Sequence, residues 1–171
     1  MSATTAIGHD SVAGSSAVTS AIDAIRRGEG ALQRVLARYS VPALRVALGL
    51  VFLVFGVLKF FPGASPIEPL VVETWSALSF GVVSGYAAMA LTAALETVVG
   101  ITLVTGQFVR FGLVVLAFTF VGILSPLVLF STELFTAAGP TLTAQYILKD
   151  VVLIAAALVV ASRALHASPR R

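Results

Sequence analysis

Apolar residues fall into four long runs along this chain, separated by stretches rich in proline, glycine and polar residues. The runs cover about 42–61, 86–105, 110–130 and 146–161. Each approaches the ~20 residues a helix needs to cross ~30 Å of hydrocarbon. The fourth is the shortest and is expected to borrow the polar turn before it. Strict two-residue alternation is absent, and lipid leaves no backbone group unpaired, so helices are predicted rather than barrel strands. Pro62, Gly63, Pro66 and Pro69 close the first run, Gly106 and Gln107 make a tight turn after the second, and Gly139 and Pro140 precede the fourth. Pro126 lies inside the third and predicts a kink or an early end there. The pattern specifies an all-α, integral membrane four-helix bundle over residues 42–165.

The segments outside the runs differ in kind. Residues 1–19 are Ser-, Thr-, Ala- and Gly-rich without apolar period, which predicts a disordered tail. They lack the early basic segment and apolar core of a signal peptide. Over residues 20–41 the pattern changes. Ser20 and Asp23 suit a helix start, and Ile22, Ile25, Leu32, Val35, Leu36 and Tyr39 recur near helical spacing. Arg26, Arg27, Arg34 and Arg38 fill the other faces, as in an interfacial amphipathic helix on an anionic membrane surface. Gly28 and Gly30 each cost about 1 kcal/mol relative to alanine, and a partly ordered juxtamembrane linker is the alternative. The loop after the first run carries Ile67, Leu70, Val71, Val72, Trp75, Leu78 and Phe80. It is expected to fold back as a short interfacial or partly re-entrant helix, with Trp75 in the headgroup layer; an ordinary connector with one aromatic anchor is the alternative.

Composition agrees with lipid as the solvent. The 171 residues are 58% hydrophobic and 11% charged, with mean hydropathy +1.01; soluble domains are about half apolar and about a quarter charged. The length suits one domain. There is no cysteine, which excludes disulfides, thiolate metal sites, iron–sulfur clusters and thiol redox chemistry by this chain alone. His9 and His166 lie in the tails, so no intramembrane pair can ligate a haem. The net charge of +3 does not indicate nucleic acid, because the basic residues flank the spans on one side and form no aromatic-interleaved patch. Arg26, Arg27, Arg34, Arg38, Arg45, Arg110, Arg163, Arg170 and Arg171 mark that side. Lys59 and Lys149, with Glu68, Glu73, Glu133 and Asp150, mark the other. Both termini, including the 166–171 tail, are therefore expected to be cytoplasmic, with the loops at about 62–85 and 131–145 outside.

Charge inside a membrane is costly, so each instance calls for an account. Arg45, Gly49, Phe52, Gly56 and Lys59 share one helical face, with the two charges about 21 Å apart at its ends. Corresponding stripes are Thr92, Glu96, Gly100, Leu103 and Gln107 on the second span; Thr119, Gly122 and Pro126 on the third; and Gln145, Lys149, Val152, Ala156 and Arg163 on the fourth. These faces are expected to meet inside the bundle, the glycines allowing close approach. Glu96 lies near mid-membrane. Counted from the span ends it falls level with Phe52, with Arg45 and Lys59 each roughly 10 Å away along the axis. It requires a cationic partner or a proton, and is either a proton-accepting or ligand-binding carboxylate or a clamp between helices. Lys59, Lys149 and Asp150 either snorkel at the outer boundary or line an outward polar pocket closed by Glu68 or Glu73. Arg45 is an inner anchor or an inward-facing group, and Gln145 can hydrogen-bond across helices. No nucleophile–base pair, metal-ligand cluster, P-loop or dinucleotide fingerprint is present, so a free-standing enzyme is not expected.

The run Arg45-Val-Ala-Leu-Gly49, followed by Phe52-Leu-Val-Phe-Gly56-Val-Leu-Lys59-Phe60, resembles the first helix of the DoxX family. Leu95-Glu96 with Gly100 and Gly106, and the Gln145…Lys149-Asp150 start of the last helix, are similar to it as well. The segment from Lys59-Phe-Phe-Pro-Gly to Ile67-Glu-Pro-Leu-Val leans toward the YkgB-like branch of the same clan. The resemblance covers about residues 42–165. It implies a four-helix protein of the bacterial cytoplasmic membrane, without a catalytic mechanism common to the family and associated with redox and oxidant-defence systems. The implied role is an accessory or anchoring subunit beside a membrane or periplasmic oxidoreductase, with a quinone-like or lipid ligand near Glu96, Arg45 or Lys59. A small-solute or proton-coupled transporter and a purely structural assembly protein are the other readings.

Overall fold

The computed structural model describes residues 10–166, with side chains from Ile22 onward. Its elements are α1 (Asp10–Leu58), α2 (Glu68–Leu78), α3 (Gly85–Thr105), α4 (Val109–Leu124), α5 (Pro126–Leu129), α6 (Ser131–Leu134), a two-residue hairpin of β1 (Phe135–Thr136) and β2 (Gly139–Pro140), and α7 (Leu142–His166). Two compact units divide at residue 40, one over 1–40 and one over 41–171. In the first unit, residues 1–9 of the expected tail lie outside the described residues. The backbone is already helical from Asp10, so residues 10–19 depart from the expected disorder. This stretch holds one glycine, Gly14, and no proline, so nothing in it stops a helix from propagating back from the following turns. Helix α1 also runs unbroken through Pro42, where a break between two elements was expected. Apolar surroundings offer the backbone no water to bond instead, so helices of membrane proteins tolerate such a proline.

Four helices among the described residues are long and apolar enough to cross a membrane, in α1, α3, α4 with α5, and α7. The chain is an all-α, multi-pass membrane protein. Helix α3 ends at Gly106, whose φ of +76° carries the left-handed cap and whose N–H bonds the Thr102 carbonyl. The third span changes element at Ser125, just before Pro126, because proline cannot donate back to Gly122. Helix α7 opens at Leu142 rather than 146, adding the polar turn that the short fourth run requires.

The core of the second unit brings together Leu48 and Phe52 of α1, Val99 and Leu103 of α3, Leu116 and Phe120 of α4, and Ala157 and Val160 of α7. Phe52 and Phe120 meet edge to face at 5.8 Å. Val54, Phe55, Val114, Phe118, Val121, Val151 and Leu158 are exposed and form the surface offered to lipid. The loop after α1 forms α2, as its apolar content suggested. It packs against α3 and α5.

Candidate functional site

The site begins with the glycines. Helices α1 and α3 run antiparallel and touch through their backbones. A Cβ at Gly49 would lie 2.9 Å from Leu103 Cβ, one at Gly100 would lie 2.6 Å from Leu53 Cα, and one at Gly56 would lie 2.8 Å from Thr97 N. None of these fits without movement, so small residues at these positions set how closely the two helices approach. That register differs from the one obtained by counting from the span ends. Glu96 lies opposite Gly56, about one turn beyond Phe52, because backbone fit and not span length fixes the pairing.

The shift decides which cation meets Glu96. Lys59, just past the end of α1, donates from Nζ to Glu96 Oε2 at 2.5 Å. Both residues are buried, at 5% and 4% exposure, so the pair is screened from solvent and tightly bonded. Asp150 of α7 is half-buried. The structure thus joins a lysine at the end of α1 to a carboxylate of α3.

The other expected site residues go elsewhere. Arg45 sits at the opposite end of the stripe, half-buried, with its guanidinium over Gly106; a Cβ there would lie 2.6 Å from Arg45 Nη1. Its Nε, like Thr97 Oγ1, is buried without a hydrogen-bond partner. Gln145 and Lys149 were expected to face inward, and this is corrected. Both are exposed; Gln145 Nε2 donates to the Pro140 carbonyl at 3.1 Å, and Lys149 Nζ lies 4.0 Å above the Tyr146 ring. The inward face of α7 is Ala144, Ile147, Ala157 and Val160, with Asp150 partly turned toward it. The run from Leu153 to Ala161 is almost uniformly small or aliphatic, so its sequence does not mark a face.

The outer polar pocket takes a different form. An open cleft is lined by Gly63, Ser65, Glu68, Val72, Glu73 and Ser84 among others, and Lys59, Lys149 and Asp150 are not in its lining. Glu68 accepts a hydrogen bond from the Gly63 N–H at 2.8 Å, so it holds the loop instead of closing over the lysines. Sequence reasoning missed two interhelical links. Trp75 Nε1 donates to Thr92 Oγ1 at 2.8 Å, fastening α2 to α3, and Thr92 passes the bond on to the Ala88 carbonyl. Gly112 of α4 lies directly against the Thr102 side chain of α3. The polar hydroxyls of Thr92 and Thr102 inside an apolar run were the signal available for both.

This arrangement can hold helices together through a buried ion pair. It does not admit a flat ring between α1 and α3 beside Glu96, since even one methyl group at Gly56 would lie 2.9 Å from Glu96 Cβ. No group of three or more His, Cys, Asp or Glu suited to a metal occurs among the described residues. The DoxX family profile matches residues 41–132. No curated protein and no solved structure gives a significant match.

Proposed function

Because the chain belongs to the DoxX family, we propose that it is an accessory, anchoring subunit of a membrane redox or stress-response system. The observation that carries this reading is the buried Lys59–Glu96 pair. The most polar groups of the interior are engaged with each other across a backbone-tight seam, which suits a scaffold presenting surfaces to a partner. The sequence has no cysteine, so thiol chemistry falls to that partner, an oxidoreductase of the membrane or the periplasmic face, and electron transfer falls to the partner or a bound cofactor. The arginine-rich ends support a bacterial cytoplasmic membrane orientation with both termini inside. Purification in native lipid discs followed by mass spectrometry tests the proposal. A redox protein in fixed ratio to this chain is expected; recovery of the chain with lipid alone contradicts it.

One observation favours a second reading, a proton-coupled transporter. Glu96 is an ionisable side chain buried within a membrane-spanning helix, the kind of group that serves proton and ion paths. Proton flux into vesicles that is abolished by Glu96→Gln in a folded protein supports it. Flux unchanged by that substitution removes it.

A further inference from the structure

We propose that residues 22–40 form a lipid-docking surface that binds anionic headgroups, a role separate from the anchoring subunit described above. Within this segment Ile22, Ile25, Leu32, Val35, Leu36 and Tyr39 are between 43% and 61% exposed. Six large apolar side chains are thus uncovered on a helix that has formed. At 100° per residue they occupy one arc of about 140°, and Arg27, Arg34 and Arg38 lie near the opposite side. An arc of that width suits a flat apolar medium, whereas a helix-pairing seam is narrower and confined to two heptad positions. Glu29 falls inside this arc, near its Ile22 edge, where its carboxylate can reach back to water.

Charge and position name the occupant. The segment carries Arg26, Arg27, Arg34 and Arg38 against Asp23 and Glu29, a net positive face that complements anionic phospholipid. It is continuous with the first span. The helical stretch from Ile22 to Leu58 has 37 residues, about 17 more than a bilayer crossing uses, so the surplus begins where the headgroups are. Pro42 has no N–H to give the Arg38 carbonyl, so a change of helix direction costs least there. Ile25, Leu32, Leu36 and Tyr39 then enter the headgroup–acyl boundary while the arginine stems extend along it to reach phosphates.

The chain lacks cysteine, so single labels report without background. The test places a nitroxide at Leu32→Cys or Arg27→Cys in the full chain. Each protein is reconstituted in phosphatidylcholine vesicles with or without phosphatidylglycerol, and collision with a water-soluble nickel chelate is compared with collision by oxygen. With phosphatidylglycerol, the Leu32 label is expected to lose access to nickel and gain access to oxygen, while the Arg27 label stays open to nickel. Each arginine near an anionic surface contributes about fivefold to binding, so adding Arg34→Gln and Arg38→Gln lowers the docking equilibrium constant by roughly 30-fold. Equal nickel access at both labels in anionic vesicles overturns the proposal. So does spin–spin broadening at Leu32 that is indifferent to lipid charge, which would assign the face to a second copy of this chain.

Discussion

The α1–α3 seam and the α4–α7 seam belong to one bundle but are built differently. Along α1–α3 the backbones touch at Gly49, Gly56 and Gly100, and the outer end is tied by Lys59 and Glu96. Along α4–α7, Leu113, Leu116, Phe120 and Ile123 share an apolar cluster with Leu153, Ile154, Ala157 and Val160, and Arg110 bonds the Ala164 carbonyl at 3.2 Å near one end. The first seam has no volume to spare and depends on charge; the second is a layer of side chains that can adjust. In lipid, burial from water does not drive helix association, so packing and directed polar bonds carry it. The difference therefore predicts where the protein is brittle.

The largest effect is expected at the ion pair. Lys59→Met or Glu96→Leu alone leaves a buried charge without its partner, a loss of about 3–5 kcal/mol, read by denaturant unfolding in bicelles. Next is Gly100→Ala, which drives a methyl group into the Leu53 backbone at 2.6 Å and is expected to cost about 1–3 kcal/mol. Leu116→Met in the adaptable seam should cost less than about 1.5 kcal/mol in the same assay; a larger loss than at Gly100 would erase the distinction. Trp75→Phe removes the bond to Thr92 at a cost of about 1 kcal/mol, visible as faster proteolysis of the α2 loop. The smallest change has the opposite sign. Gly122 lies in α4 with nothing within 4 Å of an added Cβ, so Gly122→Ala should stabilise by about 0.5–1 kcal/mol.

The same contrast explains what the sequence made legible. The stripe Gly49, Phe52, Gly56 and Lys59 was readable because small and charged residues at helical spacing inside an apolar run have few uses other than close packing and pairing. Its counterpart on α3, Glu96 with Gly100 and Leu103, was readable for the same reason. Which cation meets Glu96 was not, because that depends on the register between two helices, and the glycine contacts fixing it are between segments far apart in sequence. On α7 the inward face was misread. Lys149 and Gln145 are polar and near the right height, but the rotation of the helix is set by where Ile147, Ala157 and Val160 fit against α4 and its neighbours. Consecutive alanines at Ala155, Ala156 and Ala157 leave that rotation unmarked. Helix α1 passing through Pro42 was missed because proline signals a break in water more strongly than in apolar surroundings.

A double-mutant cycle on Lys59 and Glu96 tests the central claim most directly. Unfolding free energies of the parent, Lys59→Met, Glu96→Leu and the double variant would be compared in one lipid mixture. If the pair clamps α1 to α3, the double variant is more stable than either single variant, and the coupling is at least about 1 kcal/mol. Additive losses, with a double variant as unstable as the two singles combined, would show that the two side chains do not hold the seam together.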